Sequence, residues 1–225
     1  MSSDSKDHRA TKKRRTRDQI LANAIALFRT QGIRRTRLSE VADRSDVSPA
    51  TLFNYYPAKG ALAEAWVRGE VERMLSEAIE EAAGRDRSLR SAIRTGCRRL
   101  ASLSSTEPRS RLEAWREAGR AAGEGGSSRS ALVMGLQNEQ VRERVRGDLS
   151  ADELAGMLLD AIEGGLISGL RKQVDAHSDG SDESGVEAEL SARIQRRVDL
   201  VLDGARKRNE RVSASGLATR PVPNT

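Results

Sequence analysis

The sequence predicts an all-α protein: a small N-terminal three-helix unit followed by a larger helical domain. Three observations carry this. Apolar residues recur at three- and four-residue spacing through most of the chain, the period of one helix face. From Ser88 onward no stretch alternates apolar and polar residues as a half-buried strand does. Between residues 36 and 56, two short helical patterns are joined by a tight polar turn, the plan of a helix-turn-helix.

At 225 residues the chain is long enough to bury a sizeable core in one or two domains. Residues 1–15, MSSDSKDHRATKKRR, carry almost no apolar residue and are expected to form a flexible basic arm. The first helix is expected from about Arg17 to Thr30, with Ile20, Leu21, Ala24, Leu27 and Phe28 on one stripe and Gly32 as its stop. Thr36 is placed to cap a second, short helix bearing Leu38, Val41 and Ala42. The turn Arg44-Ser45-Asp46 leads to Val47. Ser48 then caps a third helix, and Pro49 suits its first turn because the amide that proline lacks would be unpaired there.

Pro57 ends that unit, and Lys59 opens a longer helix to about Ala83 with Leu62, Trp66, Val67, Val71, Met74, Leu75 and Ile79 on its apolar side. Further helices are expected over about 88–103, 108–122, 129–146, 151–172 and 186–207. The run from Gly123 to Ser128 and the polar stretch from Asp175 to Gly185 break them, and Ser150 with Glu153 three positions on forms a capping box. The tail from Asn209 is expected to be disordered. The domain reading is therefore an arm (1–15), a three-helix unit (16–60), a helical domain (61–208) and a tail (209–225).

The ordered series around the turn resembles the DNA-binding domain of the TetR family of bacterial repressors. Phe28 and Gly32 close the first helix, and Thr36 is followed by Leu38-Ser-Glu-Val-Ala42. Then come Val47-Ser48-x-Ala50-Thr51-Leu52-Phe53-Asn54-Tyr55-Tyr56 and Lys59. The resemblance covers about residues 16–66. It implies that the third helix lies in a major groove, and the expected DNA-contacting residues are Arg14, Arg15, Thr36, Arg37, Ser48, Pro49, Ala50, Thr51, Asn54, Tyr55 and Lys59. Pro49 and Ala50 are small enough for close approach. Arg37 is the residue expected to read a guanine, the commonest specific contact of arginine, with a phosphate-bound or solvated role equally open. Tyr55 and Lys59 are expected as backbone clamps by resemblance.

Two positions depart from the family pattern. Asp46 stands in the turn where Gly is usual, and Asp tolerates left-handed backbone better than most residues. Phe53 stands where Tyr is common, which removes a phenol from any DNA contact there.

The resemblance also implies a homodimer, a near-palindromic double-stranded operator and a small-molecule effector. Gly164, Gly165 and Gly169 thin one side of a helix and allow close helix–helix approach. With the stripe of the last helix, Leu158, Ala161, Ile162, Gly165, Gly169, Ile194, Val198, Val201 and Leu202 are read as the dimer interface, with intramolecular core packing as the alternative. Met74, Cys97, Leu100, Trp115, Met134 and Met157 are the candidate effector-pocket residues, although apolar stripes are more often plain core.

Charge agrees with a polyanionic partner. Residues 1–60 hold 13 Lys and Arg against 6 Asp and Glu, a net of +7, whereas the whole chain carries +6. One cysteine excludes an internal disulfide framework, and no apolar run reaches membrane-spanning length, so a cytoplasmic protein is expected. No phosphate-binding loop, dinucleotide fingerprint, catalytic serine elbow or metal-ligand spacing is present, so neither catalytic residues nor a cofactor is expected. The expected function is a dimeric repressor released from DNA by its effector. A ligand-independent regulator or activator is the alternative, with an all-helical interaction protein or enzyme behind it.

Overall fold

The computed structural model describes residues 3–85, 87–120, 130–178 and 185–206. Among these it contains nine helices and no strand: α1 Ser3–Gln31, α2 Leu38–Arg44, α3 Pro49–Tyr55, α4 Lys59–Ala83, α5 Leu89–Ser105, α6 Pro108–Arg120, α7 Ser130–Val141, α8 Ala151–Ser178 and α9 Val186–Gly204. None of these helices is long and apolar enough to cross a membrane.

The first three helices close on Ile20, Ala24 and Phe28 of α1, Ile33 of the following turn, Val41 and Ala42 of α2, and Leu52 and Tyr56 at α3, all essentially buried. Gly32 ends α1 with a left-handed backbone (φ +82°) and donates its amide to the Phe28 carbonyl at 3.0 Å. A Cβ there would be strained, so glycine fits the stop that the sequence placed at this position.

Helix α1 differs from expectation. It begins at Ser3, so the basic segment read as a flexible arm continues the helix instead. Its Ala, Lys and Arg are good helix formers, and once the apolar stripe from Ile20 nucleates the helix, propagation toward the N-terminus costs little. Within this extension His8 to Arg15 are all exposed.

Helix α4 leads into the larger domain and packs against α5, α6 and α7, while α8 packs against α9, α6, α7 and α5, and α9 also packs against α5. Ser88 caps α5 by accepting the Ser91 amide at 3.2 Å. The expected capping box of α8 is present: Glu153 accepts the Ser150 amide at 2.8 Å, and Ser150 Oγ accepts the Glu153 amide at 3.2 Å. Arg90 and Arg94 of α5 converge on Asp199 of α9 at 3.0 and 2.6 Å. Gly96 lets α5 approach α4 so closely that a Cβ would lie 3.0 Å from the Met74 carbonyl oxygen.

Two boundaries move. α7 stops at Val141 rather than near Arg146, because Glu143 takes a left-handed turn (φ +55°) that reverses the chain toward α8. α8 continues through Asp175 to Ser178, past the point expected to open a loop. The expected break at Gly123–Ser128 and the tail from Asn209 lie outside the described residues.

The glycine stripe is used within the chain. A Cβ on Gly165 would lie 3.0 Å from Ile194 Cα, and one on Gly169 would run into Leu190 Cδ1, so both glycines seat α9 on α8. Leu158, Ile162, Gly165, Gly169, Ile194, Val198 and Leu202 are buried in the single chain. They therefore pack this core and have no free face for a second copy; of the nine residues read as an interface, only Ala161 and Val201 keep partial exposure. The pocket set is corrected similarly. Met74, Cys97, Leu100 and Trp115 are buried, but Met134 is 61% and Met157 51% exposed. Leu132 and Leu136 take the inward side of α7, and Leu154 and Leu158 that of α8, which turns both methionines outward.

Candidate nucleic-acid interface

The turn between α2 and α3 is fixed by its own backbone. Val47 donates to the Ala42 carbonyl and Asp46 to the Asp43 carbonyl, at 3.1 and 3.2 Å, the paired bonds of a Schellman ending. Asp46 occupies the left-handed position at φ +52°, where the sequence departs from the usual glycine. Helix α1 braces this turn from behind. Asn23 donates to the Arg44 carbonyl and to Ser45 Oγ, both at 3.1 Å, and Gln19 reaches the Ser45 carbonyl at 3.4 Å. These two amides were not singled out in the sequence, although they lie one helical turn apart beside the Ile20–Ala24 stripe, where they can face only α2.

Helix α3 begins as expected. Ser48 Oγ accepts the Thr51 amide at 3.1 Å, and Pro49 occupies the first turn. Leu52 and Tyr56 turn inward, while Ser48, Pro49, Ala50, Phe53 and Asn54 are exposed and Thr51 and Tyr55 are partly so. The outer surface of α3 is thus small at its start and carries an amide and a 49%-exposed aromatic further along. Tyr56 is anchored to α1: Arg17 Nε donates to its hydroxyl at 3.4 Å, and the guanidinium carbon lies 5.4 Å from the ring centroid. Burial raises the Tyr56 hydroxyl above the ordinary tyrosine value, against the lowering effect of Arg17.

The start of α2 differs from expectation. Arg37, not Thr36, is the N-cap residue, and Glu40 accepts the Arg37 amide at 3.1 Å and the Gln31 side chain at 2.8 Å. The Arg37 amide, then Gln31, hold the Glu40 carboxyl below its usual range. Thr36 is buried because its hydroxyl and amide both turn back to the Gly32 carbonyl, at 2.9 and 3.2 Å. Its side chain is therefore not part of the outer face, contrary to expectation. Arg37 is exposed beside that face.

Lys59 also has an internal role. Its ammonium donates to the Ile33 carbonyl at 2.9 Å and lies 3.4 Å from that of Arg34, tying the start of α4 to the α1–α2 turn. An ammonium has three donors, so a phosphate contact would add to this tie rather than replace it. Arg14 and Arg15 are exposed on α1, and Arg34, Arg35 and Arg44, absent from the sequence-based set, are also exposed. The resulting surface is an α-helix with a small, partly polar outer face set among arginines, suited to a groove between phosphate strands.

An all-helical chain that holds such a helix behind a fixed turn is a helix-turn-helix protein. Comparison with known proteins finds matches to this segment and to the fold. The description "bacterial regulatory proteins, tetR family" matches residues 20–66. The HTH-type transcriptional regulator TcmR of Streptomyces glaucescens is 38% identical over 55 residues, a match spanning 24% of this chain and 24% of that protein. Thermus thermophilus FadR, a TetR-family transcriptional repressor solved in complex with lauroyl-CoA, shares the fold with a TM-score of 0.64 at 22% identity, over 93% of this chain and all of that one. The fatty acid degradation regulator FadR of Bacillus halodurans superposes with a TM-score of 0.51 at 12% identity, over 84% of this chain and 99% of that one. The match to the tetR family thus covers the helix-turn-helix and its flanks, the chain spans about a quarter of the length of the curated relative it matches, and the likeness to the solved structures shows a shared fold.

Proposed function

We propose that this chain is a dimeric transcriptional repressor that binds a near-palindromic operator in the bacterial cytoplasm and leaves it when a small molecule occupies its larger domain. The observation that carries this reading is the braced α2–α3 unit. Its outer face is exposed at Ser48, Pro49, Ala50 and Asn54, with Arg37, Arg34, Arg35 and Arg44 exposed on the same small domain. Arginines around a groove-sized helix supply the phosphate attraction, and the small outer residues permit close approach to base edges.

Dimerisation uses the outward sides of α8 and α9 rather than the residues buried between them. Met157, Ala161, Gly164 and Ser168 follow one another at helical spacing and keep exposure, and Leu200 of α9 is 77% exposed. A two-fold pairing there presents two α3 helices to successive turns of one duplex, hence the near-palindrome. The effector acts by preferring a conformer in which the two α3 helices no longer match the operator. The acyl-CoA complex of the Thermus relative supports effector control, and nothing in the reading requires catalysis.

A gel-shift series over the DNA upstream of the protein's own coding sequence tests the reading. The expected result is a retarded complex that survives excess unrelated DNA; the absence of sequence-selective binding to any fragment overturns it.

A further inference from the structure

Arg111 of α6 is 2% exposed, yet among the described residues only one end of its guanidinium finds an acceptor. Nη1 donates to Glu70 Oε2 of α4, while Nε and Nη2 are buried with no acceptor among the described residues. Glu70 is itself held by α4, since Trp66 Nε1 donates to Oε1 at 2.9 Å. Buried donors are nearly always paired, and an arginine is costly to bury with two of its nitrogens unmet. Nε and Nη2 form the lateral edge of the guanidinium, with parallel N–H bonds spaced to match two oxygens of one planar acid group. A lone carbonyl fills half of that edge. The buried side chains nearby on the two helices, Leu62, Trp66 and Val67 of α4 with Leu112 and Trp115 of α6, are largely apolar, so the rest of a ligand would be apolar too.

We propose that the free edge of Arg111 binds the acid group of an amphiphilic small molecule, a carboxylate or phosphate on an apolar body, lodged between α4 and α6. Calling this molecule the effector rests on the reading of the chain as an effector-released repressor; the binding site itself does not. The site has a direct route to the reading head. The Arg111 guanidinium lies 5.6 Å from the Trp66 ring, and that ring stacks on Phe28 of α1 with centroids 6.3 Å apart. Arg29 of α1 covers the same ring at 5.6 Å and pairs with Glu107, which precedes α6, at 2.8 Å. A ligand that shifts α6 against α4 thereby disturbs groups on α1, the helix that braces the turn.

Titration calorimetry on the full-length protein with octanoate, octyl phosphate and the neutral control octanamide tests the proposal. The expected result is that at least one acid binds and the amide does not, with the tighter acid naming the source. Arg111→Lys keeps the charge, removes the fork, and weakens the acid by about tenfold or more, the loss of roughly one charge-assisted bond. Glu70→Gln removes the neighbouring negative charge and tightens the acid by about tenfold. This gain remains readable if the lysine variant fails to fold. Acids that bind no better than octanamide, or equal affinity in parent and both variants, overturn the proposal. Gel shifts with the same compounds separate the two ideas. Acid binding through Arg111 without DNA release keeps the site and removes the effector reading. DNA release by octanamide, indifferent to Arg111, keeps that reading and removes the site.

Discussion

A methyl group on Gly165 would meet the backbone of Ile194: the added carbon would lie 3.0 Å from Ile194 Cα, closer than two helices pack without moving apart. The obstacle is main chain, so no rotamer change relieves it. Gly165→Ala should cost about 1–3 kcal/mol in urea unfolding, the range of overpacked cores. Gly69 provides the control. It lies within α4 with open space where a Cβ would go, so Gly69→Ala should gain up to about 1 kcal/mol from helix propensity. Similar effects at the two sites would contradict the packing described for α8 and α9.

The α2–α3 turn makes a different demand. Asp46 holds φ at +52°, a conformation that β-branched residues adopt only at a cost but that glycine adopts freely. Asp46→Gly should stay within about 0.5 kcal/mol of the parent, since relief of backbone strain is set against the added freedom of the unfolded chain. Asp46→Val should lose about 1–2 kcal/mol and weaken DNA binding, because the turn sets the angle of α3. Thermal unfolding paired with gel shifts would separate these outcomes.

Cys97 is fully buried, and burial, helped by Asp199, pushes its thiol up to about 12. The thiolate is the reactive species, so the folded protein should resist iodoacetamide at pH 8 and label only as it unfolds. The linkage has a definite sign. A folded-state value above the unfolded one, about 9, leaves the stability contribution intact below pH 9; it is lost progressively as pH rises toward 12. Rapid labelling under native conditions would exclude this buried state and restore a redox role for the residue.

The elements that were legible in the sequence are those set by local chemistry. Ser48 with Pro49, Ser150 with Glu153, Gly32 and Asp46 each act within a few residues of themselves, and the structure realises all four as caps or left-handed turns. What depends on the far side of a helix was not legible. The spacing of Leu158, Ile162, Ile194 and Val198 identifies a buried stripe but not whether the covering helix belongs to the same chain; here it does. Thr36 looked like a cap because its residue type suits one, yet the Gly32 carbonyl attracts its hydroxyl first. Met134 and Met157 looked like lining because they are apolar. Arg111 looked like any of the chain's many arginines until α4 brought Glu70 against it.

The outward faces of α8 and α9 lead to the last prediction. Leu200 is 77% exposed, on a helix whose apolar positions at Ile194, Val198 and Leu202 already face α8. Gly165 opposite Ile194 and Gly169 opposite Leu190 run the two helices antiparallel, so Met157 on α8 lies level with the turn of α9 around Leu202. Leu200→Asp adds a charge outside the single-chain core, where surface substitutions usually change stability by less than about 0.5 kcal/mol. Under the proposed pairing, the same charge falls in an apolar interface and separates the subunits. Sedimentation velocity should therefore show a dimeric parent and a monomeric variant with matching helical circular dichroism. The variant should also lose the cooperative gel shift, because one α3 contacts only half an operator. A variant that remains dimeric would move the interface away from this face of α9.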